Sequence, residues 1–166
     1  KTIIIYRELY QKGLTGDILA DRITELETTE IKSISGVLDT SAWSRTGYSG
    51  PTIGEILTKK GHKLRRADKN RIAGKIQLHE HLRTRQDSGR PRLQIFNNCM
   101  NLIRELQSIP MSKTNTEDVD THAADHAYDA LRYLIMSRPR VNNPIDNLRQ
   151  YHRESIYKPV DEKFGY

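Results

Sequence analysis

Cysteine is almost absent from this chain. Cys99 stands alone among 166 residues, so no internal disulfide forms and no Cys/His zinc spacing exists. A single thiol without an activating partner reads as a buried, inert side chain at a helix start, and fits a reducing compartment. Long apolar runs are missing too: no window holds eighteen or more apolar residues, so no membrane-spanning helix is expected. No GxxxxGK[ST] occurs, which excludes the phosphate-binding loop of an ATPase motor from these residues. There is no internal repeat and no low-complexity tract.

What is present is ordinary in amount, with 36% hydrophobic and 29% charged residues, and uneven in placement. The formal net charge is +6. Residues 59–92 hold twelve Lys or Arg against three acids, a local +9, which leaves −3 for the remainder. Lys and Arg belong on a solvated surface in any protein, but an excess this concentrated points to contact with a polyanion.

Hydrophobic patterning alternates between strand and helix along the chain. Residues 2–10 (TIIIYRELY), 31–38 (IKSISGVL), 62–67 and 92–96 read as strands. Residues 17–27, with Thr15 as N-cap, and 52–60, 70–84, 99–106 and 121–137 read as helices. The helix at 70–84 is basic, with Ile72, Ala73, Ile76 and Leu82 as its expected apolar face. Residues 40–50, 86–91 and 111–119 read as loops, and 139–166 as an extended polar tail. Strands alternating with helices predict an α/β layer fold in a single domain over residues 1–138.

The chemistry concentrates on the helix at 121–137. At 3.6 residues per turn, His122 set at zero puts Asp125 near about 300°, His126 near about 40° and Asp129 near about 340°. Two carboxylates and two imidazoles thus share one face, while Ala124, Ala127, Leu131, Leu134 and Ile135 occupy the opposite one. Carboxylates at i and i+4 repel by a few tenths of a kcal/mol in an exposed helix, and a divalent cation turns that repulsion into attraction. A solvated helix face with an acid near its positive end is the competing explanation. Asp39 adds weight to the metal reading, because a carboxylate at the C-terminal end of a strand stands where α/β sheets place ligands; taken alone, its Asp-Thr-Ser context favours turn initiation. His79 and His81, two positions apart, do not share a helix face and read as surface residues. Trp43, Tyr128 and Tyr133 read as packing groups.

The stretch DHAYDALRY, residues 125–133, resembles the last acidic motif of the nuclease domain in phage terminase large subunits. Four more segments agree with that family in order: 5–23 (IYRELYQKGLTGDILADRI), 36–43 (GVLDTSAW), 67–82 (ADKNRIAGKIQLHEHL) and 91–106 (PRLQIFNNCMNLIREL). The resemblance covers about residues 2–138 and implies a ribonuclease-H-like mixed sheet flanked by helices. It implies an endonuclease that cuts concatemeric double-stranded viral DNA, with two Mg²⁺ or Mn²⁺ ions about 3.5–4 Å apart between carboxylates. By that correspondence Asp39 and Asp129 hold metal, Asp125 is a supporting acid, and His126 helps bind metal or move protons. Lys69, Arg71, Lys75, Arg65 and Arg66 are the expected contacts to the DNA backbone.

The family's first carboxylate lies on an opening strand before the segment matching residues 2–10. No residue precedes Lys1, so that strand and ligand are expected to be missing, with weaker metal binding and impaired cutting as the consequence. Glu8 on the neighbouring strand is not expected to replace it. The resemblance further implies an ATPase domain, a small terminase subunit and a portal protein as partners, no membrane, and the cytoplasm of an infected or prophage-carrying bacterium. A non-catalytic DNA-binding or portal-docking module, or another ribonuclease-H-like enzyme such as a resolvase or integrase, remains the alternative.

Overall fold

A computed structural model describes residues 2–30, 34–45, 49–110 and 125–138. The class is α/β, as the alternating pattern predicts, with five helices and four short strands among the described residues. Ile3–Ile5 (β1) pairs in parallel with Leu93–Ile95 (β4), Ile3 opposite Leu93. Ser35–Leu38 (β2) pairs in parallel with Lys63–Arg66 (β3), Ser35 opposite Lys63. Parallel neighbours need a crossover, and the helix Ile53–Lys59 (α2) supplies it between β2 and β3. The remaining helices are Gly16–Glu27 (α1), Arg71–Leu82 (α3), Met100–Ser108 (α4) and His126–Met136 (α5). Among the described residues, no helix is long and apolar enough to cross a membrane.

Three helix starts follow from local sequence. Thr15 accepts from the Ile18 N–H to open α1, and Asn70 accepts from the Ala73 N–H to open α3. Thr52 and Glu55 exchange reciprocal bonds at 2.7 and 3.2 Å to open α2. The other two starts depend on distant carboxylates. Cys99 offers no side-chain cap to α4; Glu8 accepts from the N–H groups of Asn101 and Leu102 instead. Asp125 offers none to α5; Glu105, 1% exposed, accepts from the N–H groups of Ala127 and Tyr128 and from the Tyr10 hydroxyl.

These caps explain one departure from expectation. The strand expected over residues 2–10 ends at Ile5, because beyond it the chain turns Glu8 onto the start of α4. The loop expected at 40–50 contains a 3₁₀ turn, Thr40–Trp43. Residues 31–33 and 46–48, the acidic loop at 111–119, His122 and the tail at 139–166 lie outside the described residues.

The core joins Leu78, Leu93, Cys99, Leu102, Tyr128, Leu131 and Ile135, with Ile3, Ile5 and Ile95 packed against it. Cys99 is fully buried, as expected of a lone inert thiol, and burial pushes its thiol pKa up. The apolar face expected on α3 is a correction: Ile72, Ile76 and Leu82 are exposed, while Gly74, Leu78 and His81 are buried. That stripe faces α5, and Gly74 permits the approach, since a Cβ there would fall 2.5 Å from Arg132 Cγ. His81 is therefore a core residue rather than a surface one, its Nδ1 donating to the Gln77 carbonyl. Trp43 packs on Gly54 and lies under the Arg66 guanidinium, in keeping with its reading as a packing group.

Candidate functional site

Two local features bring Asp39 and α5 together. Asp39 follows β2 and caps the 3₁₀ turn, its Oδ1 accepting from the Ser41 N–H at 2.6 Å. The Ala67 N–H donates to the Leu38 carbonyl, so the chain leaving β3 runs beside the chain leaving β2. That places Lys69 next to Asp39, with Nζ 3.5 Å from Oδ1. α5 packs against both α3 and β2, which carries Asp129 and Tyr133 to the same strand end.

Tyr133 joins the two acids. Its hydroxyl donates to Asp39 Oδ2 and lies 3.5 Å from Asp129 Oδ2. One oxygen of each carboxylate is thus within about two hydrogen-bond lengths of the other, roughly 6 Å, a spacing that suits a pair of cations about 3.5–4 Å apart. The juxtaposition read from the sequence is present: an acid ending a strand and an acid one turn into the last helix converge.

Cations surround both acids. Arg132 grips Asp129 Oδ1 through Nε at 3.1 Å and Nη2 at 3.0 Å, while Arg71 Nη1 lies 3.6 Å from Oδ2. Burial works against the charge of Asp39, but the bonds from Ser41 and Tyr133 and the Lys69 charge outweigh it and hold this carboxyl well below the usual carboxylate range. Asp125 goes the other way: burial and then the negative charge of Asp129 raise it, with Arg71 opposing. Burial, the hydrogen bond to Asp39 and the charges of Asp129 and Asp39 push Tyr133 up to about 12. Asp39 is anionic at neutral pH and Tyr133 keeps its proton as donor.

Other candidate residues sit elsewhere. His126 does not join the two acids. Its ring is exposed, 3.9 Å from Asp125, and lines a separate cleft of about 700 Å³ with Ile5, Leu9, Tyr10 and Leu131, to which neither Asp39 nor Asp129 contributes. Glu8 is committed to the start of α4. Of the expected DNA contacts, Lys69 and Arg71 pair with the acids, Arg65 donates to the Ser137 carbonyl, and Arg66 stacks over Trp43. Lys75 is half-buried on α3.

Sequence reasoning placed both aspartates but missed Tyr133 and Arg132 as their partners. The signal existed: they stand four and three positions after Asp129, on the same helix face. Hard carboxylate oxygens, one set already facing an ammonium, are a donor set suited to Mg²⁺ or Mn²⁺. Among the described residues, however, no group of three or more His, Cys, Asp or Glu side chains is gathered closely enough to hold a metal, so the pair Asp39–Asp129 is the unit available. No family model, curated protein or solved structure matches this chain.

Proposed function

We propose that this chain is a divalent-metal-dependent endonuclease domain of the kind found in viral DNA-packaging terminases, with a ribonuclease-H-like fold, acting on double-stranded DNA. The observation that carries the reading is the convergence of Asp39 and Asp129 on the Tyr133 hydroxyl, beside the basic start of α3. Parallel strands crossed by a helix, with an acid just past a strand end, also suit that fold.

Within this reading Asp39 and Asp129 hold the ions. The bound Mg²⁺ or Mn²⁺ supplies an activated water and charge stabilisation of the leaving oxygen. Tyr133 orients Asp39 by donating its phenol proton to Oδ2. Exposed Arg65 and Arg66 hold the DNA backbone without reading sequence, so affinity falls steeply with added salt. The ATPase domain, small subunit and portal protein belong to the same proposal as partners, and the host bacterial cytoplasm as location.

Nicking of supercoiled plasmid in Mn²⁺, lost in both Asp39→Asn and Asp129→Asn while duplex binding persists, is the expected result. Equal nicking by the Asn variants overturns the proposal. One observation favours a second reading, a non-catalytic DNA-binding or portal-docking module: Lys69, Arg71 and Arg132 already neutralise the acids. That module would bind duplex DNA with an affinity that Mn²⁺ does not alter.

A further inference from the structure

Asp39, Asp125 and Asp129 are accompanied by Lys69, Arg71 and Arg132, so the cluster carries no net charge when these groups are ionised. A divalent cation entering a neutral cluster gains little attraction unless one resident cation moves away. The three differ in their freedom to do so. Arg132 is 2% exposed and held on Asp129 by a hydrogen bond from Nε and an ion pair through Nη2, with its stem packed against Gly74. Arg71 is 26% exposed, pairs with Asp129 and is also attracted by the charge of Asp125. The Lys69 side chain is 54% exposed, and among the described residues no hydrogen bond supplements its 3.5 Å ion pair with Asp39. An exposed ion pair of this sort is weak and exchanges readily.

Where the ammonium goes is set by its root. Lys69 precedes the Asn70 cap of α3, on an exposed stretch it shares with Arg65 and Arg66. Released from Asp39, it belongs to the basic surface that would meet a DNA backbone.

We propose that Lys69 is a displaceable counter-ion of the site: it neutralises Asp39 until a divalent cation arrives, then turns to a DNA phosphate, so that cation binding and DNA binding strengthen each other. The inference rests on the metal-nuclease reading above. Reciprocity follows from linkage: the factor by which the cation tightens DNA binding equals the factor by which DNA tightens cation binding.

Lys69→Met keeps the aliphatic stem and removes the charge. Mn²⁺ affinity without DNA, read from the free-ion paramagnetic resonance signal, should rise about two- to fivefold, the scale of an exposed ion pair. Affinity for a short duplex, read by fluorescence anisotropy, should be unchanged without a divalent ion, because Lys69 is then engaged with Asp39. With Ca²⁺ or Mn²⁺ present, wild-type affinity should rise and the variant should lose most of that gain, while Lys69→Arg retains it. Equal weakening of DNA binding with and without the cation identifies Lys69 as an ordinary phosphate contact and overturns the inference, as does unchanged Mn²⁺ affinity. Wild-type Mn²⁺ binding that Asp129→Asn abolishes and Lys69→Met leaves untouched sinks the counter-ion role alone. Absence of Mn²⁺ binding in both wild type and Lys69→Met sinks the metal reading with it.

Discussion

Asp39 accepts a hydrogen bond from the phenol of Tyr133, a residue 94 positions away in the chain. The bond joins the end of β2 to the middle of α5 and sets the spacing of Asp39 and Asp129. Two carboxylates this close repel, and a phenol that donates its one proton to Asp39 while lying 3.5 Å from Asp129 offsets part of that repulsion.

Tyr133→Phe tests that role directly. Tyr133 is 9% exposed, so the phenyl ring keeps its packing while Asp39 loses its phenol donor. A hydrogen bond to a charged group is worth roughly 1.5–3 kcal/mol, and the variant should be less stable by about that much. Urea unfolding at constant slope measures it. Asp39→Asn in the Tyr133→Phe background should cost less than Asp39→Asn alone; strict additivity would mean that the bond contributes nothing.

Stability should also fall in alkali in a way traceable to the same phenol. Tyr133 is pushed up to about 12, above the ordinary phenol value of about 10. Between those values the folded chain keeps a proton that the unfolded chain has lost. The stabilisation is therefore complete below about pH 10 and disappears as pH rises towards 12. Tyrosinate absorbance should show a late-titrating component that Tyr133→Phe removes and Asp39→Asn shifts to lower pH. Tyr6 and Tyr10 are also raised, each by a hydrogen bond to a glutamate, so the assignment depends on loss of that component in the Tyr133 variant. A curve identical to wild type would refute it.

What could be read from sequence was what is decided locally or by period. Thr15, Thr52 and Asn70 announce their helices because the cap and the N–H it accepts from lie within three residues. Asp39 was legible because it ends an apolar run. The long-range part was not. α3 shows its small and mixed face, Gly74, Leu78 and His81, to α5, and leaves Ile72 and Ile76 exposed. Its rotation is fixed by the close passage of Arg132 over Gly74, which hydropathy does not register. Glu8 and Glu105 look like ordinary surface acids in a linear reading; only the packed arrangement turns them onto the N–H groups of α4 and α5.

Glu105 should accordingly be among the costliest surface-type residues to replace. It accepts from two backbone N–H groups at 2.7 and 3.0 Å and from the Tyr10 hydroxyl at 2.9 Å, at 1% exposure. Glu105→Ala strips those donors of their acceptor inside the protein and leaves a hole, which should cost about 3–5 kcal/mol. Tyr10→Phe removes only one donor and should cost about 0.5–1.5 kcal/mol. Hydrogen exchange at Ala127 and Tyr128 should accelerate selectively in Glu105→Ala before global unfolding contributes. Unchanged protection at both amides would contradict the capping role.

Gly74→Ala sets two effects against each other. Ala is the better helix former by about 1 kcal/mol, and Gly74 lies inside α3, so propensity alone favours the change. The added Cβ would fall 2.5 Å from Arg132 Cγ and 2.8 Å from its Cδ. Those atoms belong to a side chain 2% exposed and anchored on Asp129, so they have no open space to move into. Overpacking of this kind costs about 1–3 kcal/mol, and a net loss of up to about 2 kcal/mol is expected from urea unfolding. The clash is specific, and a double-mutant cycle exposes it. In an Arg132→Ala background neither Cγ nor Cδ remains, so Gly74→Ala should become neutral or favourable there. The same penalty in both backgrounds would place the strain somewhere other than the contact between α3 and α5.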